Sequence, residues 1–285
     1  MKVASADLDV ETIVVDDATA RGLSWARNEG LRRATGEVVF FADADDALRP
    51  KFFSAHLQAL SETGSDFVLS NHDFFPLKHA YDLKGNAAVR AALLPAFFGF
   101  SFEDVRRWNA GGDFFARREM GGVWRGAYRR DFLEKNAIRF DESLRLFEDA
   151  AFLAECATRA TRVVTISESL YAYTPGVGGV LSTRLKPDVY YPYKFAALKN
   201  REAIAARAGG DVMRYFEASA VFSAIELLKA RRGFFRYAQD AFVRDALFRF
   251  PTSRRHPLVA SAVFLSRALV ATFGKSKSER KDDES

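Results

Sequence analysis

The sequence predicts an α/β fold: a mostly parallel sheet with flanking helices, followed by a C-terminal helical region. Three observations carry this. The first half alternates strand-like and helix-like segments; one strand-like segment, VVFFA, is apolar throughout, as expected of a strand covered on both faces; and beyond Lys186 the pattern becomes helical.

In chain order, VETIVVDD (Val10 to Asp17) is rich in β-branched residues and reads as a strand ending in acids. SWARNEGLRRATG (Ser24 to Gly36) reads as a helix, with Ser24 as N-cap, Leu31 and Ala34 at helical spacing and Gly36 as the stop. VVFFA follows as a strand and runs into Asp43, Asp45 and Asp46. KFFSAHLQALSETG (Lys51 to Gly64) sets Phe52, Phe53, His56, Leu57 and Leu60 on one stripe and ends at Gly64. SDFVLSNHDFF is the next strand. From Lys84 to Gly126 the pattern is irregular and reads as helix and loop lining a site or an interface. Arg129 to Ala160 holds a short helix, a turn and a longer helix starting near Glu148, and RVVTISESLYAYTP supplies further strands. These readings divide the chain into a domain over 1–185, a helical region over 186–274 and a solvated tail over 275–285.

Composition narrows the class. With 285 residues, 48% hydrophobic and 28% charged, the chain is ordinary for a globular protein. A single cysteine, Cys156, excludes an internal disulfide and a cysteine zinc site and fits a reducing compartment such as the cytoplasm. Four scattered histidines form no HExxH pair. The net charge of +5 favours anionic partners, but no motif supports nucleic-acid binding. Met1 leads through one lysine into acids, so no signal peptide is expected. Pro257 to Gly274 carries Arg267 and falls short of the roughly 20 apolar residues of a membrane span. That segment and Arg231 to Phe250 interleave aromatic and aliphatic residues with arginine. Both suit a helix lying on anionic lipid, and equally a helix packed on the domain.

Three carboxylates in four positions, Asp43, Asp45 and Asp46, sit where a strand delivers them to a sheet edge. A polar turn with a helix N-cap is one reading. A calcium loop is excluded by Leu48 and Ser54 at the positions that need glycine and glutamate. A strand-D-x-D phosphatase with a carboxylate nucleophile is a further alternative, although Ala47 and Leu48 replace the expected continuation. The remaining reading is a divalent-metal site for a nucleoside diphosphate. In an extended D-x-D both acids project to one side, and Mg²⁺ or Mn²⁺ takes one or two carboxylates plus phosphate oxygens.

GLSWARNEGLRRATGEVVFFADADDALRPKFF resembles the central block of family 2 glycosyltransferases. Gly22, Leu23, Ser24, Ala26, Arg27, Asn28, Gly30, Leu31, Gly36, Asp43, Asp45, Asp46 and Pro50 match in order. YRRDFLEKNAIRFDESLRLFEDAAFLAEC is similar to the family's second block, and LYAYTPGVGGVLST, more loosely, to a third.

The resemblance implies a GT-A fold, with Asp43 and Asp45 at the metal, and Arg27 and Asp46 beside the nucleotide-sugar. It implies the Glu148-Asp149 pair at the catalytic position, with Asp149 as general base. The local alternative for that pair is favourable charge at a helix N-terminus. Arg27 is equally an ion-pair partner for the acids. Trp124 and Trp108 are candidates to stack on acceptor sugars, or to pack in the core. Pro175 to Gly179 reads as a loop at the active site.

The implied activity is an inverting, metal-dependent transfer from a nucleoside-diphosphate sugar to a glycan or lipid-linked acceptor in surface polysaccharide synthesis, with Mg²⁺ or Mn²⁺ as cofactor. Its implied place is the cytoplasm, at the inner face of the membrane. The resemblance also aligns TIVVDDATA with the family's third strand, which makes Asp16 and Asp17 turn acids and leaves the family's first strand-helix-strand unmatched. A non-catalytic carbohydrate-binding or assembly module is the reading from another class.

Overall fold

The computed structural model describes residues 8–72, 80–98, 122–174 and 187–210, together with 212, 213, 216 and 220. Its elements are α1 (Leu23–Arg33), β1 (Val38–Phe40), β2 (Ala47–Leu48), α2 (Phe52–Thr63), β3 (Phe67–His72), β4 (Asp82–Lys84), α3 (Asn86–Phe98), a 3-10 turn (Val123–Arg125), β5 (Gly126–Arg129), α4 (Arg130–Lys135), α5 (Glu148–Arg159), β6 (Arg162–Ala172) and α6 (Pro187–Ala208).

The strands form one sheet in the order β1-β5-β3-β6-β2, with β4 paired to β6. It is mixed where a mostly parallel sheet was expected. β3 and β6 pair in parallel, while β5 runs antiparallel to both β1 and β3, so β1, β3 and β6 share one direction. The strand–helix alternation of the sequence sets the direction of β1 and β3. It does not reveal that β5, almost 60 residues further on, inserts between them in reverse.

Side-chain alternation divides the core into two layers. Phe67 and Leu69 of β3 and Tyr128 of β5 face a large cluster made with Leu31 of α1, Leu93 of α3, Phe152 and Cys156 of α5 and Ile204 of α6. Val68 and Ala127 face the other way, onto Leu60 of α2. Covering both faces explains the unbroken apolar run of VVFFA: Val39 and Phe41 face the first cluster, Val38 and Phe40 the second.

The predicted α2 stripe is observed: Phe52, His56 and Leu60 are buried, and Gly64 closes the helix in the left-handed region at φ 65°. The pair of helices between Arg129 and Ala160 is observed as α4 and α5. The segment read as irregular after Lys84 contains α3, whose Val89, Leu93 and Phe97 are fully buried. Residues 162–172 form one long strand rather than several.

Two expectations near the start are corrected. Val10 to Asp17 forms no strand, because among the described residues no strand lies beside it to complete a ladder. It is nonetheless extended in burial: Ile13, Val15 and Asp17 are half-buried, while Val14 between them is 80% exposed. Ser24 is not the cap of α1; Gly22, at φ 106°, occupies that position, and the Ser24 hydroxyl donates instead to the Leu144 carbonyl at 3.4 Å. The helix ends at Arg33 with Ala34 as its cap, short of Gly36. Asp17 is a turn acid as expected, accepting the backbone N–H groups of Arg21 at 2.7 Å and Gly22 at 2.6 Å. The helices expected beyond residue 220, the tail, Trp108 and Pro175 to Gly179 lie outside the described residues.

Candidate active site

The shared direction of β1, β3 and β6 defines one carboxyl edge, and the acidic residues gather there. β1 ends at Phe40 and the chain passes into Asp43 to Asp46, where the Asp46 N–H closes a turn on the Asp43 carbonyl at 3.2 Å. From the opposite layer, α5 begins with Glu148 and Asp149 in its first turn, immediately after Phe147 in the left-handed region at φ 66°. A bulky residue seldom adopts that conformation, which costs on the order of 1–2 kcal/mol. Here it turns the chain so that α5 starts with both acids at the edge. Lys51, at φ 68°, does the same before α2.

Arg27, on α1, joins the two acidic groups. Its guanidinium, 9% exposed, places Nη2 3.1 Å from Asp43 Oδ1 and Nη1 3.1 Å from Glu148 Oε1, and Nη1 also donates to Asp149 Oδ1. Burial alone would weaken its charge, but Asp149, Asp43 and Glu148 together outweigh that, and its pKa is raised. The neighbouring Asn28 fixes the helix against the segment that leads to α5. Its amide donates to the Phe140 carbonyl at 2.9 Å and accepts the Phe140 N–H at 2.9 Å.

The carboxylates differ among themselves. Burial raises the pKa of Glu148 to about 7, Asp149 beside it adds to the rise, and Arg27 opposes it. Asp43 is raised by burial as well, against the pull of Arg27. Asp149 spans two partners, since its Oδ2 also receives the Val123 N–H at 3.4 Å. Asp46 accepts the Tyr171 hydroxyl at 2.8 Å and the Thr174 N–H at 2.7 Å, while the Asp43 N–H donates to Tyr171 Oη at 3.1 Å. Asp45 is exposed and, among the described residues, engages no hydrogen-bond or ion-pair partner.

So Arg27, Asp43, Glu148 and Asp149 are in one cluster, Asp46 is tied to its flank through Tyr171, and Asp45 faces solvent beside it. Trp124 is brought to the same edge but is 9% exposed and stacked on Tyr171, with ring centroids 4.3 Å apart, and on Tyr173 at 5.8 Å. Packed in this way it offers little ring surface to a sugar. Tyr171 and Asn28 organise the site; the sequence reading gave neither a role, although Asn28 is among the matched motif residues. Both lie inside the motif blocks, Asn28 beside Arg27 in the first and Tyr171 in the third, and that position is the signal that could have marked them.

The donor set is hard oxygen from closely spaced carboxylates. Among the described residues no group of three or more acids, histidines or cysteines is arranged to hold a metal by itself. A cation that takes one or two protein carboxylates and completes its shell with phosphate oxygens and water fits such a set.

Comparisons with known proteins bear on the family and the fold. Residues 3–120 match the model of glycosyl transferase family 2. The uncharacterized glycosyltransferase EpsJ of Bacillus subtilis is 27% identical over 174 residues, covering 58% of this chain and 46% of that protein. The uncharacterized glycosyltransferase YibD of Escherichia coli is 30% identical over 152 residues, covering 53% and 42%. The succinoglycan biosynthesis protein ExoO of Rhizobium meliloti is 25% identical over 194 residues, covering 60% and 54%. The chain therefore spans about half the length of the curated relatives it matches. Among solved structures, S. aureus TarS 1-349 in complex with UDP-GlcNAc superposes with a TM-score of 0.50 at 18% identity, covering 92% of this chain and 72% of that one. That likeness concerns the fold, which is GT-A-like. The family model is thus matched over the part of the chain that carries Arg27 and the acidic turn.

Proposed function

We propose that the protein is an inverting glycosyltransferase that moves a sugar from a nucleoside-diphosphate donor to a hydroxyl of a glycan or lipid-linked acceptor, in the synthesis of a surface polysaccharide. The observation that carries this reading is the bridge made by Arg27 between Asp43 at the end of β1 and Asp149 at the start of α5. It brings an acidic turn suited to a metal-bound diphosphate and a carboxylate suited to proton abstraction to one sheet edge. The name of ExoO supports the pathway, and the complex of TarS with UDP-GlcNAc supports a nucleotide-sugar donor.

Asp45, exposed and unengaged, and Asp43 are the residues that would hold Mg²⁺ or Mn²⁺. The ion, when bound, neutralises charge that develops on the departing diphosphate. Asp149 accepts the proton of the attacking acceptor hydroxyl, while Arg27 holds its carboxylate in place through Oδ1 and leaves Oδ2 with only a long contact to the Val123 N–H. Glu148, whose ionisation is suppressed near neutral pH, limits the negative charge beside that base. Asp46 and Tyr171 fix the backbone of the acidic turn, so that the carboxylates are set before the donor arrives. We assign the protein to the cytoplasmic face of the membrane, where nucleotide-sugars are made; among the described residues no helix is long and apolar enough to cross a membrane.

The test is a donor screen in which release of nucleoside diphosphate is measured with and without an acceptor extract, using Asp149→Asn as the control. Acceptor-dependent release by the parent protein and not by the variant is expected. Absence of release across uridine, guanosine and thymidine diphosphate sugars would overturn the reading.

A further inference from the structure

Arg125 is the largest fully buried side chain among the described residues, at 1% exposure, and the mechanism above leaves it without a task. Its Nε donates to the Ser70 carbonyl at 2.8 Å, but Nη1 and Nη2 have no hydrogen-bond partner among the described residues, and no carboxylate pairs with it there. Burial lowers its pKa to about 10, with only Tyr128 acting against the shift. A buried charge without a counter-ion is strongly destabilising, and two parallel guanidinium N–H groups match the paired oxygens of a phosphate or carboxylate.

The side chain is mounted firmly. Its carbonyl accepts the Ser70 hydroxyl at 3.1 Å and lies 3.1 Å from His56 Nε2, while Gly126 next to it packs against the Tyr128 hydroxyl. It also occupies the same sheet edge as the acidic cluster. Arg125 closes the turn Val123–Arg125, in which the Val123 N–H reaches Asp149 and Trp124 stacks on Tyr171. That turn therefore touches the base on one side and the aromatic flank of the acidic turn on the other. The placement is nearer the acceptor side, because the contact of Val123 is to the base and not to Asp43 or Asp45.

We propose that Arg125 is an anion-recognition residue of the acceptor side, binding a phosphate or carboxylate group carried by the acceptor, so that the protein selects an acidic acceptor. This rests on the glycosyltransferase reading for the word acceptor, but the anion site itself does not. The nitrogens are closed to water in the free protein, so an anion enters as the edge opens, and binding is read at equilibrium.

The experiment titrates inorganic phosphate into the full chain at constant ionic strength, with chloride as the balancing anion, and follows the unfolding midpoint and the binding heat. The same is done with uridine diphosphate plus Mg²⁺ as the donor-side probe. Phosphate is expected to stabilise the parent protein saturably. Arg125→Gln should weaken phosphate by at least about tenfold and change uridine diphosphate affinity less than twofold, and Arg125→Lys should lie between. If Arg125→Gln does not fold, the parent titration and the lysine variant decide. No saturable response of the parent protein to phosphate, or an equal response in a folded variant, would overturn the site. Parallel losses of phosphate and uridine diphosphate would place the anion on the donor and overturn the acceptor assignment. Failure of the donor screen with a positive phosphate result would reject the enzyme reading and leave the anion site standing.

Discussion

Arg27 donates to Asp149 across 122 positions of sequence, and the same guanidinium reaches Asp43, 16 positions away. One cation thus ties the helix that follows the N-terminal extended segment to the turn after β1 and to the first turn of α5. Replacing Arg27 by Met leaves Asp43, Glu148 and Asp149 facing one another with no compensating charge. A loss of about 3–5 kcal/mol is expected, the range for removing one partner of a buried pair, read from urea unfolding. Arg27→Lys should recover part of it, since one ammonium cannot span the same oxygens.

Asp149→Asn keeps the size of the side chain and removes its basicity. Transfer should fall by roughly 10²–10⁴-fold, the usual worth of a general base, with donor affinity nearly unchanged in calorimetry. Equal transfer rates for the two proteins would remove Asp149 from the mechanism.

Asp45→Ala removes the carboxylate that, among the described residues, engages no hydrogen-bond or ion-pair partner. Nucleotide affinity measured with Mg²⁺ or Mn²⁺ should drop by at least roughly tenfold, since even an outer partner of a metal site is worth that much, while affinity measured in chelator should stay the same. Unchanged affinity in the presence of metal counts against the metal site.

Glu148 gives a pH signature. Its pKa is raised on folding from 4.5 to about 7, so the folded state binds more protons than the unfolded state between those values. The corresponding stability is fully present below pH 4.5 and is lost as pH rises through about 7. Burial raises Asp43 in the same direction. Glu148→Gln should flatten the decline of the unfolding midpoint between pH 4.5 and 7, and an unchanged slope would show that Glu148 ionises freely.

Tyr171→Phe deletes the hydroxyl that accepts the Asp43 N–H and donates to Asp46. A stability loss of about 1–3 kcal/mol is expected from leaving those groups unmatched, together with weaker donor binding as the acidic turn loosens. A variant with parent-like stability and donor affinity would mean that the turn is held by Arg27, its own Asp46–Asp43 bond and the Thr174 N–H without the hydroxyl.

Much of this was legible in the sequence where the signal is local. The stripe of Phe52, His56 and Leu60 and the stop at Gly64 specify α2 by spacing, and the two motif blocks marked Arg27, Asp43, Asp45, Asp46, Glu148 and Asp149. Spacing failed where pairing decides. Val10 to Asp17 has the composition of a strand, but composition cannot supply a neighbour, and the ladder is absent. Ser24 has the chemistry of a cap, yet its hydroxyl is drawn to Leu144, 120 positions away.

The sequence by itself determined which residue types meet the chemistry: clustered acids after an apolar strand, an acidic pair opening a helix, and an arginine upstream of both. Tertiary structure alone decided that the arginine is shared among three of those acids, that Trp124 is stacked inward on Tyr171, and that Arg125 is buried with two nitrogens unmatched among the described residues. The reason is physical. Periodicity and composition act over a few residues, whereas desolvation and ion pairing depend on which distant segments the sheet brings to one edge, and β5 inserting in reverse between β1 and β3 sets that.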